Sequence, residues 1–484
     1  MVNTVGEERK ILVWFRQDLR VHDHPALAKA AKVGSAVIPL YIFDETSAGQ
    51  WVAGGASRWW LHYSLTALAK DLENLGSPLL IARGNSRVVL AEIACKLGVS
   101  SVFTSRMYEP WAVTLEKDLY DILQREGIAL HRFSGTLLKE PEELATQSGT
   151  PFKVYTPFWR ALSSSQQHRT PVAKPKRLVP ASDKLKIDTL DDLQLLPTKP
   201  NWSHGLQEVW RPGEASARKQ LKDFLSANIT GYHDQRNRPD KMATSRLSPH
   251  LHFGEISPAT VWKATNAARD AGCQDGDYET FLKELVWREF SAHLLFHFQD
   301  LPTAPFRPEY GKFPWRTDNQ SLSAWQHGQT GYPIVDAGMR ELWATGWMHN
   351  RVRMIAASFL IKDLFLPWQE GEKWFWDTLV DADLASNAAS WQWVAGSGAD
   401  AAPFFRIFNP VTQGRKFDPD GAYVRKWVPE LANLPDKFIH APWTAPDDVL
   451  TAANIELDIN YPNPIVDHSI ARQTALEGYK KVKA

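Results

Sequence analysis

Over the first third of the chain, short continuous apolar runs alternate with stretches of helical periodicity. The runs Ile11–Phe15, Ala36–Phe43, Pro78–Ala82 and Ser101–Thr104 read as strands, and Ala26–Lys32, Ser57–Leu75 and Arg87–Leu97 read as the helices between them. Repeated strand–helix alternation predicts βαβ units and a parallel sheet. No GxGxxG follows the first strand, so the dinucleotide-binding fingerprint is absent. From about Ser163 to Pro200 the chain turns polar and loses periodicity, as a linker does. Beyond Gly213 the pattern is mostly amphipathic with a period near 3.6, including Ala215–Ala227, Glu279–Leu295 and Asn350–Leu364. The expected class is α/β: a parallel-sheet domain over 1–137, a linker over 138–205 and an all-helical domain over 206–484.

Composition narrows the chemistry. With 484 residues, 44% of them hydrophobic, the chain exceeds what one core organises, in keeping with two domains. Lysine plus arginine equals aspartate plus glutamate at 55 each, so nucleic acid would have to be met by a local patch rather than a global field. The 2 cysteines, Cys95 and Cys273, lie far apart and in no metal-ligand spacing, which argues against a disulfide scaffold or a cysteine zinc site and fits a reducing cytoplasm. The apolar run in MVNTVGEERKILVWF is too short for a signal-peptide core, and no later segment approaches a membrane span, so a soluble chain without membrane contact is expected. The outlier is 21 tryptophans, which suggests a use for indole chemistry.

Four constellations carry candidate chemistry. Thr244-Ser245-Arg246-Leu247-Ser248-Pro249 reads as a helix start with Ser248 as N-cap and Pro249 at the first helical position. Such a terminus either holds a diphosphate through free N–H groups, hydroxyls and the helix dipole, or is an ordinary cap that binds nothing. In Glu284-Leu285-Val286-Trp287-Arg288 the acid, indole and guanidinium share one helical face. That face suits base reading, with Trp287 stacking and Glu284 accepting from an imide N–H; the plainer alternative is an intrahelical ion pair beside a core indole. In Gly346-Trp347-Met348-His349-Asn350-Arg351-Val352-Arg353-Met354, Asn350, Arg353 and Met354 again share a face, and Asp381 to Trp393 gathers two acids, an amide and two indoles. Asp381 and Asp383 suit a hard cation, or equally sugar hydroxyls or an arginine; no further carboxylates join them in sequence.

TSRLSP, ELVWREF, GYPIVDAGMREL, GWMHNRVRM, DADLASNAASWQW and FFRIFNP, in this order and spacing, resemble the photolyase/cryptochrome family, and the resemblance runs from VWFRQDLR to YPNPIVDH. The DADLASNAASWQW form, rather than DGDLAANNGGWQW, is similar to class III bacterial cyclobutane pyrimidine dimer photolyases. The resemblance implies light-driven dimer repair: excited reduced FAD gives an electron to the dimer, the cyclobutane ring opens and the electron returns. The N-terminal domain would be the antenna domain and the helical one the FAD-binding domain.

By that resemblance, Tyr232, Thr244, Ser245, Arg246, Leu247, Ser248, Glu284, Arg288, Trp347, Asn350, Arg353, Asp381, Asp383 and Asn387 hold a U-shaped FAD, with Arg353 paired to Asp381. Phe281 stands where family members carry an indole. Asn387 would face flavin N5, where plant cryptochromes carry an aspartate; Asn350 and Met354 match the dimer enzymes rather than six-four photolyases. Glu284, Trp287, Trp393, Asn350 and Met354 would receive the flipped dimer, and Trp391, Trp368 and Trp315 would carry electrons to the flavin. The bland alternative for the indoles is core packing. Arg236, Arg351, Arg406 and Lys416 are the expected phosphate contacts of UV-damaged DNA, since Pro403 to Trp427 holds five basic residues against two acids. The antenna implied is 5,10-methenyltetrahydrofolate, with a deazaflavin or no pigment as alternatives, because the class I contacts after Tyr108-Glu109 (Trp111) and near His297 are not matched. A monomer is expected. The rival readings are a cryptochrome-type light receptor, which would carry an acid at 387 and usually a C-terminal extension, and a simple FAD-dependent oxidoreductase, which would leave the tryptophans unexplained.

Overall fold

The computed structural model describes residues 9–33, 36–165, 169–182, 185, 187–272, 275–401 and 406–483. Cys273, Pro403 and the Phe404-Phe405 start of FFRIFNP lie outside them.

Strands β1 (Lys10–Phe15), β2 (Ala36–Phe43), β3 (Leu80–Arg83), β4 (Ser101–Ser105) and β5 (Ala129–Phe133) form one parallel sheet in the order β3-β2-β1-β4-β5. Ile11 stands opposite Val37 on one side and Ser101 on the other. Helices α1 (Pro25–Lys32), α2 (Gly55–Leu75), α3 (Ser86–Leu97) and α4 (Pro110–Arg125) make the crossovers. Helices cover both faces of the sheet, so β1 and β2 read as unbroken apolar runs. Pro39, which has no N–H for a ladder, precedes the point where β2 begins to pair with β3 at Leu40. The apolar pattern missed β5: as an edge strand, ALHRF is exposed or half-buried throughout. Leu12, Trp14, Ile38, Leu40, Leu90, Leu115 and Leu119 form the core between sheet and helices. The polar stretch expected as a linker lies along the sheet, with Val37 N donating to Val179 O at 2.8 Å and Arg83 N to an oxygen of Asp188 at 2.7 Å.

The remaining helices are α5 (Tyr155–Ser164), α6 (His204–Val209), α7 (Glu214–Asp223), α8 (Tyr232–Gln235), α9 (Ser248–His252), α10 (Pro258–Asp270), α11 (Asp275–His297), α12 (Asn319–Gln326), α13 (Pro333–Thr345), α14 (Asn350–Ser358), α15 (Trp368–Thr378), α16 (Leu384–Ala395), α17 (Pro410–Phe417), α18 (Ala422–Trp427), α19 (Asp447–Ala452) and α20 (His468–Lys483). The expected helices 215–227 and 350–364 are each an α-helix that ends in a π turn, at Phe224–Asn228 and Phe359–Asp363.

Two compact units result: 1–152, 156–227 and 245–299 in the first, and 153–155, 228–244 and 300–484 in the second. The first thus takes in helices α9 to α11, and its hydrogen bonds show why. Val21 N donates to Glu214 at 2.7 Å, Trp60 Nε1 to Glu255 at 3.1 Å and Leu138 N to Glu289 at 2.7 Å. Gly254, at φ +65°, approaches Gln17 so closely that an added Cβ would lie 2.0 Å from its carbonyl oxygen. The second unit is helical around a core that includes Trp325, Leu342, Ile355, Phe375 and Trp391.

Candidate functional site

In the second unit, the left-handed Gly346 ends α13 and turns the chain into Trp347-Met348-His349. His349 caps α14 by accepting the Arg351 N–H on Nδ1 at 3.2 Å. Burial, with Arg351, Arg236 and Arg353 nearby, pushes the His349 imidazole down to about 4, so the cap is neutral. One turn into α14, Arg353 donates Nε to Met348 O at 2.8 Å and Nη2 to both oxygens of Asp381 at 3.0 and 2.8 Å. Asp381's side chain is 4% exposed, and the pairing spares it a lone buried charge. Asp383 caps α16 by accepting the Ser386 N–H at 2.8 Å. The two acids are therefore engaged separately, and among the described residues no cluster of three His, Cys, Asp or Glu side chains is placed to hold a metal. Asn350 opens α14 in an exposed position, with Met354 half-buried one turn on.

The seam between α15 and α16 is tight. Gly371 faces Trp391, where an added Cβ would lie 2.1 Å from Cη2 of the indole. Trp391 also meets Phe375 at 5.0 Å and Trp325 at 6.2 Å, edge-on. Trp368 is buried in the same core, and Trp315 is half-buried against it. Trp393 is half-buried too. Asn387 donates Nδ2 to the Glu372 carbonyl at 3.0 Å. Since a carbonyl accepts only from the NH₂ end, the amide's orientation is fixed with Oδ1 as its remaining acceptor. Glu372 itself is 1% exposed, its Oε1 is buried with no hydrogen-bond partner, and burial pushes its carboxyl up to about 9. Sequence reading missed Glu372, Gly371 and the cap role of His349; the one available signal was the spacing of Trp368 and Glu372, a single helical turn apart.

Three of the expected phosphate contacts lie near one another around α14. Arg351 Nε donates to Asn237 Oδ1 at 2.8 Å, beside Arg236, whose guanidinium lies 5.5 Å over Tyr232. The Phe417 ring carries Arg351 at 5.2 Å and Lys416 at 5.3 Å. Arg406 is exposed, and its carbonyl accepts from the buried Lys362 ammonium, which burial pushes down to about 7.

In the first unit the reading of Ser248 needs correction. Leu247 occupies the N-cap position of α9 without a side-chain bond, and Ser248 is the first helical residue. The cause is Arg246, at φ +50°, which turns the chain one residue early. Left-handed Arg246 followed by right-handed Leu247 aims successive N–H groups inward as an anion-binding nest, so this turn, rather than the short α9 dipole, suits a diphosphate. Gln220 fixes the turn by donating to Ser245 O at 3.1 Å, and the Arg246 guanidinium lies 4.8 Å over Trp210. Thr244, the last residue of its segment of the second unit, is half-buried, as are Glu284, Trp287 and Arg288 on α11 of the first. Arg288 Nη1 donates to Thr136 O at 2.9 Å, and Phe281 packs on Phe224 at 4.7 Å. The two stretches noted for the antenna meet in space, with Tyr108 6.3 Å from Phe296. Polar groups around the first stretch pair with Glu140: Tyr108 OH donates to it at 2.8 Å and Arg106 binds it at 2.7 Å, while Trp111 packs against the sheet core.

Comparison with known proteins gives two family matches: a model described as DNA photolyase over residues 11–176, and one described as the FAD binding domain of DNA photolyase over 281–481. A deoxyribodipyrimidine photo-lyase of Agrobacterium fabrum is 52% identical, the alignment spanning 98% of each chain. Cryptochrome-1 of Arabidopsis thaliana is 41% identical over 94% of this chain and 68% of its own length. The crystal structure of a bacterial class III photolyase from Agrobacterium tumefaciens superimposes with a TM-score of 0.96 at 50% identity, covering 100% of this chain and 99% of the other.

Proposed function

The chain belongs to the photolyase/cryptochrome family, and from that premise we propose that it is a deoxyribodipyrimidine photolyase that splits cyclobutane pyrimidine dimers in DNA under blue light with FAD. The observation that carries this reading is Asn387. A neutral amide held by the Glu372 carbonyl at 3.0 Å offers an acceptor, suited to the ring N–H of a reduced flavin. The residues present fit FAD. The Arg246–Leu247 nest, with Thr244, Ser245 and Ser248 beside it in the chain, suits the diphosphate. The Arg353–Asp381 pair and the unpartnered oxygen of Glu372 provide polar groups for a heterocycle.

When bound, reduced FAD absorbs blue light, lends an electron to the dimer and takes it back when the ring has opened. The protein's part is binding and orientation. Tyr232, Trp347, Asn350, Asp383, Glu284, Arg288 and Leu247 complete the proposed cofactor contacts. Glu284, Trp287, Asn350, Met354 and Trp393 are the proposed readers of the flipped dimer, whose extrusion is cheap because the lesion already weakens stacking. Arg236, Arg351, Arg406 and Lys416 hold phosphates without regard to sequence. Trp391, Trp368 and Trp315 feed electrons to oxidised flavin from outside. We retain 5,10-methenyltetrahydrofolate as the proposed antenna, at a place other than the paired Tyr108–Glu140 groups, and a cytoplasmic monomer as the working form.

The second reading, a light receptor without repair, draws on the 41% identity to Cryptochrome-1. One experiment separates the two: purified protein is incubated with an oligonucleotide holding a single cyclobutane dimer, in blue light and in the dark. Light-dependent loss of the dimer is expected. Flavin photochemistry with every dimer left intact would favour the receptor. The protein's absorbance spectrum identifies the antenna in the same sample.

A further inference from the structure

Glu372 is a buried acid whose proton the repair step does not use. It lies on the inward face of α15, one turn beyond Trp368 and next to Gly371, which touches Trp391. Its backbone carbonyl fixes Asn387. Asp381 is engaged by Arg353 and Asp383 by the α16 cap, whereas Glu372 Oε1 is buried without a partner. A buried carboxyl with an unpaired oxygen stays protonated, because ionisation there would go uncompensated.

We propose that Glu372 holds the proton that follows the electron during photoreduction, and that the carboxylate it leaves steadies the oxidised indoles of Trp391 and Trp368. This rests on the flavin reading above and adds the source of the proton. The electron leaves Trp391; the O–H bond of Glu372 breaks, and an N–H bond forms on the flavin ring. Asn387 has no acidic proton to give, and its N–H is held by the Glu372 carbonyl. The exchange leaves one positive indole on α16 and one negative carboxylate on α15, so the interior gains no net charge. Their attraction is strong where water is excluded. The electron hole then passes through Trp368 and Trp315 to an external thiol reductant, and Glu372 recovers its proton from solvent on the slower timescale of local opening.

The test is light-minus-dark infrared spectroscopy of the full chain with FAD and thiol, joined to transient absorption. In the unaltered protein, light should bleach the C=O stretch of a protonated carboxyl and raise a carboxylate band, both shifted when glutamate carries ¹³C. Glu372→Gln, similar in shape, should abolish both bands, keep fast electron arrival from Trp391 and slow proton arrival by about 10²-fold. Asn387→Asp added to Glu372→Gln should restore the proton by supplying a carboxyl nearby. A carboxyl band that survives Glu372→Gln, or proton arrival unchanged in it, overturns the proposal. If that variant loses FAD, the unaltered protein still decides: no carboxyl bleach overturns the proposal as firmly. Asn387→Asp alone tests the underlying reading, since a variant with unaltered proton arrival would show that position 387 does not face the ring.

Discussion

Arg351 and Glu372 belong to the same helical unit, yet one reaches water beside Phe417 and the other is sealed between α15 and α16. Around Arg351 the working groups are cations held loosely by rings and by Asn237, in a medium that screens them. Around Glu372 the groups are indoles, an amide and one neutral acid, packed so closely that Gly371 has no room for a methyl group. The first arrangement tolerates loss of any one member, because each phosphate contact contributes a similar, salt-dependent share. The second does not, since a buried polar group that loses its partner keeps its full desolvation penalty. Binding DNA without regard to sequence calls for the first kind of surface; guiding one electron and one proton calls for the second.

The sharpest break should come at Trp391. Trp391→Phe fills most of the space but removes the easily oxidised indole, so photoreduction of oxidised flavin with dithiothreitol should collapse to background. Repair that starts from chemically reduced flavin should persist, because the dimer pathway never visits this residue. Normal photoreduction would mean that the indole only packs, and loss of FAD would make it chiefly a wall of the flavin site.

Next in size is Arg353→Ala, which strands Asp381 without its bidentate partner. Arg353 is 25% exposed, so some water can enter, and the expected loss is about 3 kcal/mol, at the low end for a broken buried pair. Denaturant unfolding checks it; a loss under about 1 kcal/mol would place the pair among screened surface contacts.

A pH series isolates Glu372. Its carboxyl is pushed up from 4.5 to about 9, so across that window the folded chain binds the proton and the unfolded chain releases it. This contribution is fully present below about pH 4.5 and fades as pH rises towards 9. Thermal midpoints of the unaltered protein should therefore fall relative to those of Glu372→Gln as pH climbs from about 5 to 9. Glu289, pushed up to about 7, has the same sign but stays in both proteins, so the difference reports Glu372. Parallel curves would contradict its buried neutral state.

The smallest effect is expected on the basic face. Arg351→Ala should weaken damaged and undamaged DNA alike and reduce the salt slope by about one phosphate contact. A defect confined to damaged DNA would move Arg351 from the phosphates to the flipped base.

The contrast also explains what the sequence made legible. Strands β1 and β2 announced themselves because burial on both faces leaves unbroken apolar runs, and β3 and β4 through shorter apolar stretches, whereas β5 carries His131 and Arg132 and looks like loop. Arg353 with Asp381 was readable from motif order, since the chemistry needs those residue types. Glu372 was not: in WQEGEKWFWDT it stands beside Lys373 like any solvated acid, and only the packing of α16 on α15 seals it. Ser248 misled for a related reason. Cap residue type predicts where a helix starts, but the left-handed turn at Arg246 set the start instead.

Light moves an electron out to the dimer and back again, and single-turnover flash photolysis follows that round trip. Prereduced protein is bound to an oligonucleotide with one cyclobutane dimer and given one blue flash, while flavin absorbance and intact pyrimidines are followed together. Reduced flavin should bleach and recover fully within the turnover as dimers open, with no flavin consumed. Flavin left oxidised in proportion to the dimers opened would contradict it, as would full recovery with every dimer intact.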